Sequence, residues 1–259
     1  MLPSMFQILY VMLGFNITID TDSLQNARKL LTMSNFVALR NDVIPALISQ
    51  FESNFSVTIT EDAKTVRDVL NQMSIRVFQA YVRPITQKAK AIIAAGIASP
   101  NYAPSDTRPT DAQPYVYEVL LLLVLTHTEV SRTAPSMTSS VLSYLLEQLS
   151  QALIEAFKLR PRYTLSALMQ ATLDVEFIAQ TLNNYTTERA GEIQGSIYLA
   201  LDERTDNEAR LKLQSELPEM RAILKRLRDG TRGEFVCFKK VRGPAAAARQ
   251  SGQGQRPSS

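Results

Sequence analysis

Cysteine, histidine and glycine are scarce in this chain of 259 residues, and each scarcity excludes a class of site or fold. Cys237 is the one cysteine, so no disulfide can form within the chain, and a cysteine-based zinc site is excluded. A chain without disulfides fits a reducing, cytosolic setting. His127 is the one histidine, which rules out a histidine-built metal site and leaves one candidate for a histidine-dependent nucleophile. Nine glycines favour long helices over sandwiches and barrels, which need many turns.

Recognisable chemical motifs are also missing. The sequence contains no phosphate-binding loop, glycine fingerprint, metal cluster or base-stacking motif. The net charge of +3 is mild and does not by itself indicate nucleic acid. We therefore predict a non-enzymatic protein with no catalytic residues, no cofactor, no metal, no nucleic-acid partner and no small-molecule substrate.

The chain is organised around a predicted helical hairpin between Tyr115 and Phe157. Its first arm, about Val116 to Leu125, carries seven consecutive apolar residues and is too short for a bilayer, which needs about 20. A helix that is apolar all round must be surrounded by other helices, so we expect Leu122 to be buried. The second arm, Met137 to Phe157, carries apolar residues at spacings of three and four, which indicates one buried stripe.

Around this hairpin we predict an all-α fold in which the other helices pack against it. Residues 23–98 form an N-terminal helical group, and residues 115–240 form a C-terminal helical bundle. Between them, residues 99–114 hold four prolines and form a loop. Residues 1–22 stay unassigned, as either a core-packing start or a segment foreign to the fold. Residues 241–259 are rich in Gly, Ala, Gln, Pro, Ser and Arg and are predicted to be a disordered tail.

Prolines and capping residues predict where the helices begin and end. Pro45 should kink or break the first helix, and Pro84 should end or restart the second. Thr164 is expected to cap the longest helix, about 165–201. Thr205 and Glu208 form a capping-box pattern for the last helix, and Gly230 suits its C-terminal stop. The apolar patch Phe235–Phe238 should dock back on the bundle.

The candidate partner or lipid contact is a basic face on that last helix. Arg221, Lys225 and Arg228 fall on one side, opposite Ile223, Leu224 and Leu227. Further basic residues lie nearby at Arg226, Arg232, Lys239, Lys240 and Arg242. Such a face could meet an acidic partner or anionic lipid. The alternative is a solvated face that also suits the helix dipole.

Three other sites have a chemical interpretation and a plainer structural one. His127 could act as a general base, or be a hydrogen-bonded residue at a helix end. Asp174 and Glu176 could share acid–base work, but residues two apart on a helix point to different sides, so pairing with basic residues is the expected arrangement. Cys237 could be activated by nearby lysines, or be a small buried thiol.

Several longer strings give the chain a resemblance to a known family. They are Pro114–Glu118, His127–Ser131, Ser143–Gln148, Arg160–Tyr163, Ala171–Ile178, Glu216–Met220 and Gly230–Phe235. In these strings, the chain resembles the C-terminal region of the Sec-five subunit of the exocyst (exocyst complex component two) in its fungal form. The resemblance covers roughly Leu24 to Lys240.

The resemblance implies a fold and a role. The fold would be a rod, an elongated stack of antiparallel helical bundles. The role would be tethering secretory vesicles to the plasma membrane before fusion. Implied partners are other exocyst subunits, with small GTPases and anionic plasma-membrane lipid as indirect ones. The implied location is cytoplasmic, peripheral at sites of secretion.

Three functions therefore compete at this point. The first is a non-catalytic tethering subunit. The second is a peripheral domain that binds anionic membrane through its basic C-terminal helix. The third is a small helical enzyme that uses His127, or Asp174 with Glu176.

Overall fold

A computed structural model describes residues 22–100, 102 and 108–239 of the chain. The described residues form helices and no strand, which confirms the predicted all-α fold. The α-helices are α1 Asp22–Ala38, α2 Ile44–Phe55, α3 Thr60–Ala98, α4 Pro114–Thr133, α5 Thr138–Leu159, α6 Leu165–Thr181, α7 Glu188–Asp202 and α8 Asn207–Gly230. The unassigned residues 1–21 and the predicted tail at 241–259 lie outside the described residues.

Contacts divide the described chain into two compact units, residues 22–81 and residues 82–239. Helix α3 contributes to both, because it continues through Pro84, where the sequence predicts an end or a restart. Proline inside a helix costs about 3 kcal/mol, since its ring displaces a backbone hydrogen bond. The prediction of a loop boundary at 99–114 stays a prediction.

In the N-terminal unit, the helical path continues past Pro45, where the sequence predicts a kink or a break. A π-helical turn, Leu39–Val43, joins α1 to α2, and Pro45 falls in the first turn of α2, where its missing N–H costs least. Arg40 in the π turn donates to the Asn71 side chain of α3 at 3.1 Å. The proline therefore changes the local helix type without ending the helical path.

The core of the N-terminal unit is a small apolar cluster of Phe36, Ile44, Val66 and Leu70. Partly buried side chains that pack against it are Leu39, Ile48, Met73 and Val77. This cluster joins α1, α2 and α3 into one unit.

The predicted hairpin forms the centre of the C-terminal unit as α4 and α5. The whole stripe predicted for α5 is buried: Val141, Leu142, Leu145, Leu146, Leu149, Leu153 and Phe157. The prediction that other helices surround α4, with Leu122 buried, is wrong on one side of the helix. Leu121 is 51% exposed, Leu125 is 69% exposed and Leu122 is only partly buried. The inward face of α4 is instead Val119, Leu120 and Leu123, so the apolar run is not surrounded on all sides.

The predicted helix at 165–201 is two helices in the structure. Thr164 caps α6 as predicted, accepting from the Ala167 N–H. A short 3₁₀ turn, Asn183–Tyr185, then ends the helical path, and Thr187 caps α7 by accepting from the Ala190 N–H. The break lets α7 pack against α5 while α8 packs against α6.

The end of the described chain closes the bundle. The capping-box prediction is wrong: the N-cap of α8 is Asp206, and the Thr205 hydroxyl donates to the Leu201 carbonyl. Gly230 is the last residue of α8, as predicted. Phe235 and Phe238 then dock back on the bundle and are buried, which confirms that prediction.

Candidate functional site

A polar cleft of about 730 Å³ lies where the end of α8 and the segment after it meet the turn between α6 and α7. Four of its lining side chains are basic and define what we name the basic cleft: Lys225, Arg228, Arg232 and Lys239. The other lining residues are Gln180, Thr181, Asn183, Asn184, Asp229, Thr231, Phe235 and Phe238.

The apolar pattern of the sequence places these cations. In α8, Leu224 and Leu227 are buried, so Lys225 and Arg228 are directed away from the core and are exposed. Beyond α8, the buried Phe238 brings the chain back against the bundle, with its ring edge-on to Tyr185 and His127. The Asn184 amide donates to the Phe238 carbonyl at 2.8 Å and fixes this return.

A chain of hydrogen bonds positions Arg228. Its guanidinium donates from Nη1 to Gln180 Oε1 at 2.9 Å. Gln180 in turn donates from Nε2 to Glu176 Oε2 at 2.9 Å, and Glu176 Oε1 accepts from the Tyr198 hydroxyl at 2.7 Å. The carboxylate therefore orients the amide, and the amide orients the arginine.

The structure brings together two of the three residues predicted for the basic face. Lys225 and Arg228 line the cleft, whereas Arg221 is exposed on α8 outside that lining. Arg226 is engaged elsewhere, donating from Nη2 to the Thr110 carbonyl at 2.6 Å. Helical spacing could not find Arg232 and Lys239 as members of the cleft, because the return of the chain after Gly230 places them there.

Asp174, one of the acid–base candidates, is fully buried among hydrogen-bond donors. The sequence predicts a basic partner for it, and this prediction is wrong, because its partners are two tyrosines, an amide side chain and a backbone N–H. Its carboxylate accepts from the Tyr115 hydroxyl at 3.0 Å, the Tyr102 hydroxyl at 3.3 Å, the Gln113 N–H at 3.0 Å and Gln170 Nε2 at 2.9 Å. Burial raises the pKa of Asp174 to about 7, and these hydrogen bonds oppose the rise. The network joins the residues before α4, and the first turn of α4 itself, to α6.

The remaining acid–base candidates have separate structural partners. Glu176 accepts hydrogen bonds from Tyr198 and Gln180, whereas the sequence predicts a basic partner for it. His127 is half-buried and packs edge-on against Phe238, and burial lowers its pKa. Burial also raises the pKa of the half-buried Cys237 thiol, which favours the unreactive form. No contact described for these residues joins them into one site.

A second concavity, of about 470 Å³, lies within the N-terminal unit between α2 and α3. We name it the apolar groove. Its lining residues are Ile44, Leu47, Ile48, Phe51, Ile59, Asp62, Ala63, Thr65 and Val66. Leu47 is 52% exposed and Phe51 is 44% exposed, and Phe51 pairs with the Phe55 ring at 4.8 Å between centroids. An exposed apolar surface of this kind is typical of a protein contact.

Among the residues that the structure describes, no helix is both long and apolar enough to cross a membrane. The same residues include no group of three or more His, Cys, Asp or Glu side chains that could hold a metal ion.

Comparison with protein families gives a match over most of the chain. The family model of exocyst complex component Sec5 matches residues 14–238. The match begins before Leu24, the start of the stretch that the sequence resemblance covers, and it includes every described helix. No curated protein and no solved structure matches the chain.

Proposed function

The chain belongs to the Sec5 family of exocyst complex components, and we propose from this premise that it acts as a non-catalytic tethering subunit in exocytosis. In this role it docks secretory vesicles at the plasma membrane through protein–protein contacts with other exocyst subunits. The observation that carries the proposal is the family match over residues 14–238. Small GTPases and anionic lipid would act on it indirectly, and its location would be cytoplasmic and peripheral, at sites of secretion.

The apolar groove supports a mechanism based on helix faces. Leu47 and Phe51 expose much of their apolar surface on α2, and Phe55 continues the exposed row at its end. Covering such side chains releases about 25 cal/mol for each Å² of apolar surface removed from water. The groove therefore offers binding energy to a partner subunit without any pocket chemistry.

Co-purification with exocyst subunits tests this proposal. The full chain is expressed with an affinity tag, and the recovered exocyst subunits are quantified by mass spectrometry. We expect the double variant Leu47→Ser/Phe51→Ser to recover at least about tenfold less of them, since central apolar contacts dominate interface energy.

A matched control uses Leu199→Ser/Leu211→Ser, two leucines that are also exposed but lie on α7 and α8. This control should recover the subunits as the unchanged chain does, and circular dichroism should show both variants folded. Recovery of no exocyst subunit by the unchanged chain would overturn the proposed function. Equal recovery by both double variants would remove the apolar groove from it.

A second candidate function is contact with anionic membrane through the basic helix α8. The observation that favours it is the exposure of Arg221, Lys225 and Arg228 along one helix. Reversing all three to Glu should abolish sedimentation with phosphatidylserine vesicles at low salt, where screening is weak. Unchanged sedimentation by the folded triple variant would exclude this function.

A further inference from the structure

We infer that the basic cleft is a binding site for a small ligand that carries two phosphate monoester groups. The inference goes beyond tethering: a soluble ligand could fill the cleft whether or not the chain is assembled with other subunits.

The charge of the cleft sets the charge of the ligand. Lys225, Arg228, Arg232 and Lys239 supply four positive charges and Asp229 one negative charge, which leaves a net charge of +3. The ion pairs formed between described residues use other cations, namely Arg108, Arg204, Arg210 and Lys212. A phosphate monoester carries about −1.5 to −2 near pH 7, so two such groups balance the cleft.

The donors of the cleft suit anionic oxygens, and a phosphate monoester brings more negative charge to them than a carboxylate does. Lys225 and Arg228 come from α8, and Arg232 and Lys239 come from the segment after it. The side chains of Asn183 and Thr181 also line the cleft. Arginine provides a planar fork of donors that matches phosphate oxygens, and charge-assisted bonds of this type are about twice as strong as neutral ones.

Arg228 is partly pre-organised for such a ligand. Its bond to Gln180, which Glu176 and Tyr198 hold in turn, occupies one guanidinium nitrogen. Binding would then immobilise fewer free rotamers, which reduces its entropic cost. Phe235 and Phe238, which also line the cleft, are buried in the bundle and fix the backbone on which Arg232 and Lys239 lie.

The same chemistry could come from a phosphorylated lipid head group or from a free sugar phosphate. Isothermal titration calorimetry of the full chain with soluble inositol bisphosphate tests the site itself. Inositol monophosphate and unphosphorylated inositol serve as ligands of lower charge. Vesicle sedimentation then identifies the source, with phosphatidylcholine vesicles that contain phosphatidylinositol bisphosphate, or phosphatidylserine at equal total charge.

We expect the bisphosphate to bind at least about tenfold more tightly than the monophosphate, and inositol not to bind. Arg228→Gln/Arg232→Gln should weaken bisphosphate binding at least about tenfold, whereas Arg221→Gln, outside the cleft on the same helix, should change it by less than about twofold. All three positions are exposed, so the variants should keep the melting temperature of the unchanged chain.

The outcomes separate the cleft from the other proposals. Preferential sedimentation with the bisphosphate lipid would identify a lipid head group, and binding of the soluble compound alone would identify a free sugar phosphate. Either result supports the cleft even if no exocyst subunit is recovered in co-purification. Absence of bisphosphate binding, or equal losses in Arg221→Gln and Arg228→Gln/Arg232→Gln, would overturn it.

Discussion

The N-terminal unit and the C-terminal unit treat their large apolar side chains differently. Residues 22–81 expose eight of them: Leu24, Leu31, Val43, Leu47, Phe51, Phe55, Val57 and Ile75. The C-terminal unit, residues 82–239, is more than twice as long but exposes only six large apolar side chains among its described residues: Leu121, Leu125, Leu159, Leu199, Leu211 and Val236. The density of exposed apolar groups is therefore several times higher in the N-terminal unit.

The interiors of the two units also differ: the C-terminal interior holds a buried polar network, whereas the N-terminal cluster is apolar. The C-terminal unit encloses Asp174 within four hydrogen-bond donors, and a fully satisfied buried network of this kind makes a core rigid. The cluster that centres the N-terminal unit joins Phe36, Ile44, Val66 and Leu70. From this difference we infer that the C-terminal unit is stabilised from within, whereas the N-terminal unit gains from a partner that covers its exposed face.

The largest expected difference between the units comes from a pair of phenylalanines. Phe157 in the C-terminal unit is fully buried, and Phe55 in the N-terminal unit is 64% exposed. Phe157→Ala should lower the free energy of unfolding by about 3–5 kcal/mol, because it removes apolar burial and leaves a cavity. Phe55→Ala should change it by less than about 1 kcal/mol. Urea denaturation followed by circular dichroism measures both, and equal losses would contradict the comparison.

The buried Asp174 makes the C-terminal unit sensitive to pH. Its pKa is about 7 in the folded chain and near 3.8 when unfolded, so the folded state retains the proton to higher pH. This stabilising contribution is complete below about pH 4 and is lost as the pH rises through about 7. The loss is at most on the order of 4 kcal/mol.

Asp174→Asn removes the titrating group and keeps the shape of the side chain. Unfolding free energies of the unchanged chain and this variant are measured between pH 4 and pH 8. As the pH rises, the unchanged chain should lose stability relative to the variant, because only the unchanged chain has a carboxyl group at this position that must give up its proton. A difference that stays constant over this range would show that Asp174 does not titrate there.

Two glycines test how tightly the C-terminal unit is packed. A methyl group added at Gly96 would overlap the Tyr115 side chain, whereas one added at Gly195 meets nothing within 4 Å. Gly96→Ala should therefore destabilise the fold by about 1–3 kcal/mol despite alanine's higher helix propensity. Gly195→Ala should stabilise it by about 0.5–1 kcal/mol. Thermal unfolding of the two variants decides the matter, and shifts of the same sign would contradict the packing at Gly96.

The smallest effect is expected in the N-terminal unit. Ser56 ends α2 in the left-handed conformation, with φ of 52°, which costs a residue with a side chain about 1–2 kcal/mol. Ser56→Gly should recover a part of this, about 0.5–1 kcal/mol. Urea denaturation measures the gain in the free energy of unfolding, and hydrogen exchange of the α2 amides shows whether the gain lies in this helix. A loss of stability would mean that the Ser56 side chain contributes more than its backbone costs.

Much of the fold could be predicted because periodicity reports burial directly. The stripe of α5 and the docking of Phe235–Phe238 are examples. Leu121 and Leu125 could not be placed, because a continuous apolar run does not say which side lacks a neighbour. Pro84 misled the prediction because tertiary burial of Val82, Ala89 and Ile93 can offset the cost of one proline.

The candidate site was only partly predictable, for a related reason. Helical spacing grouped Lys225 with Arg228, which both line the basic cleft. The cleft also includes Arg232 and Lys239, whose places depend on the return of the chain after Gly230. The prediction of a basic partner for Asp174 was wrong because its donors include Tyr102 and Tyr115, which lie outside its own helix. Gln170, within that helix, supplies an amide donor. Long-range contacts of this kind leave no periodic signal in a sequence.

Hydrogen exchange tests most directly the central claim that the N-terminal unit is the face covered by a partner. Exchange is measured by mass spectrometry for the full chain alone and for the chain co-purified with exocyst subunits. We predict that peptides covering Ile44–Phe55 and the first turns of α3 exchange at least about tenfold more slowly in the complex. Unchanged exchange in those peptides, with the subunits bound and protection gained only within residues 82–239, would contradict the account.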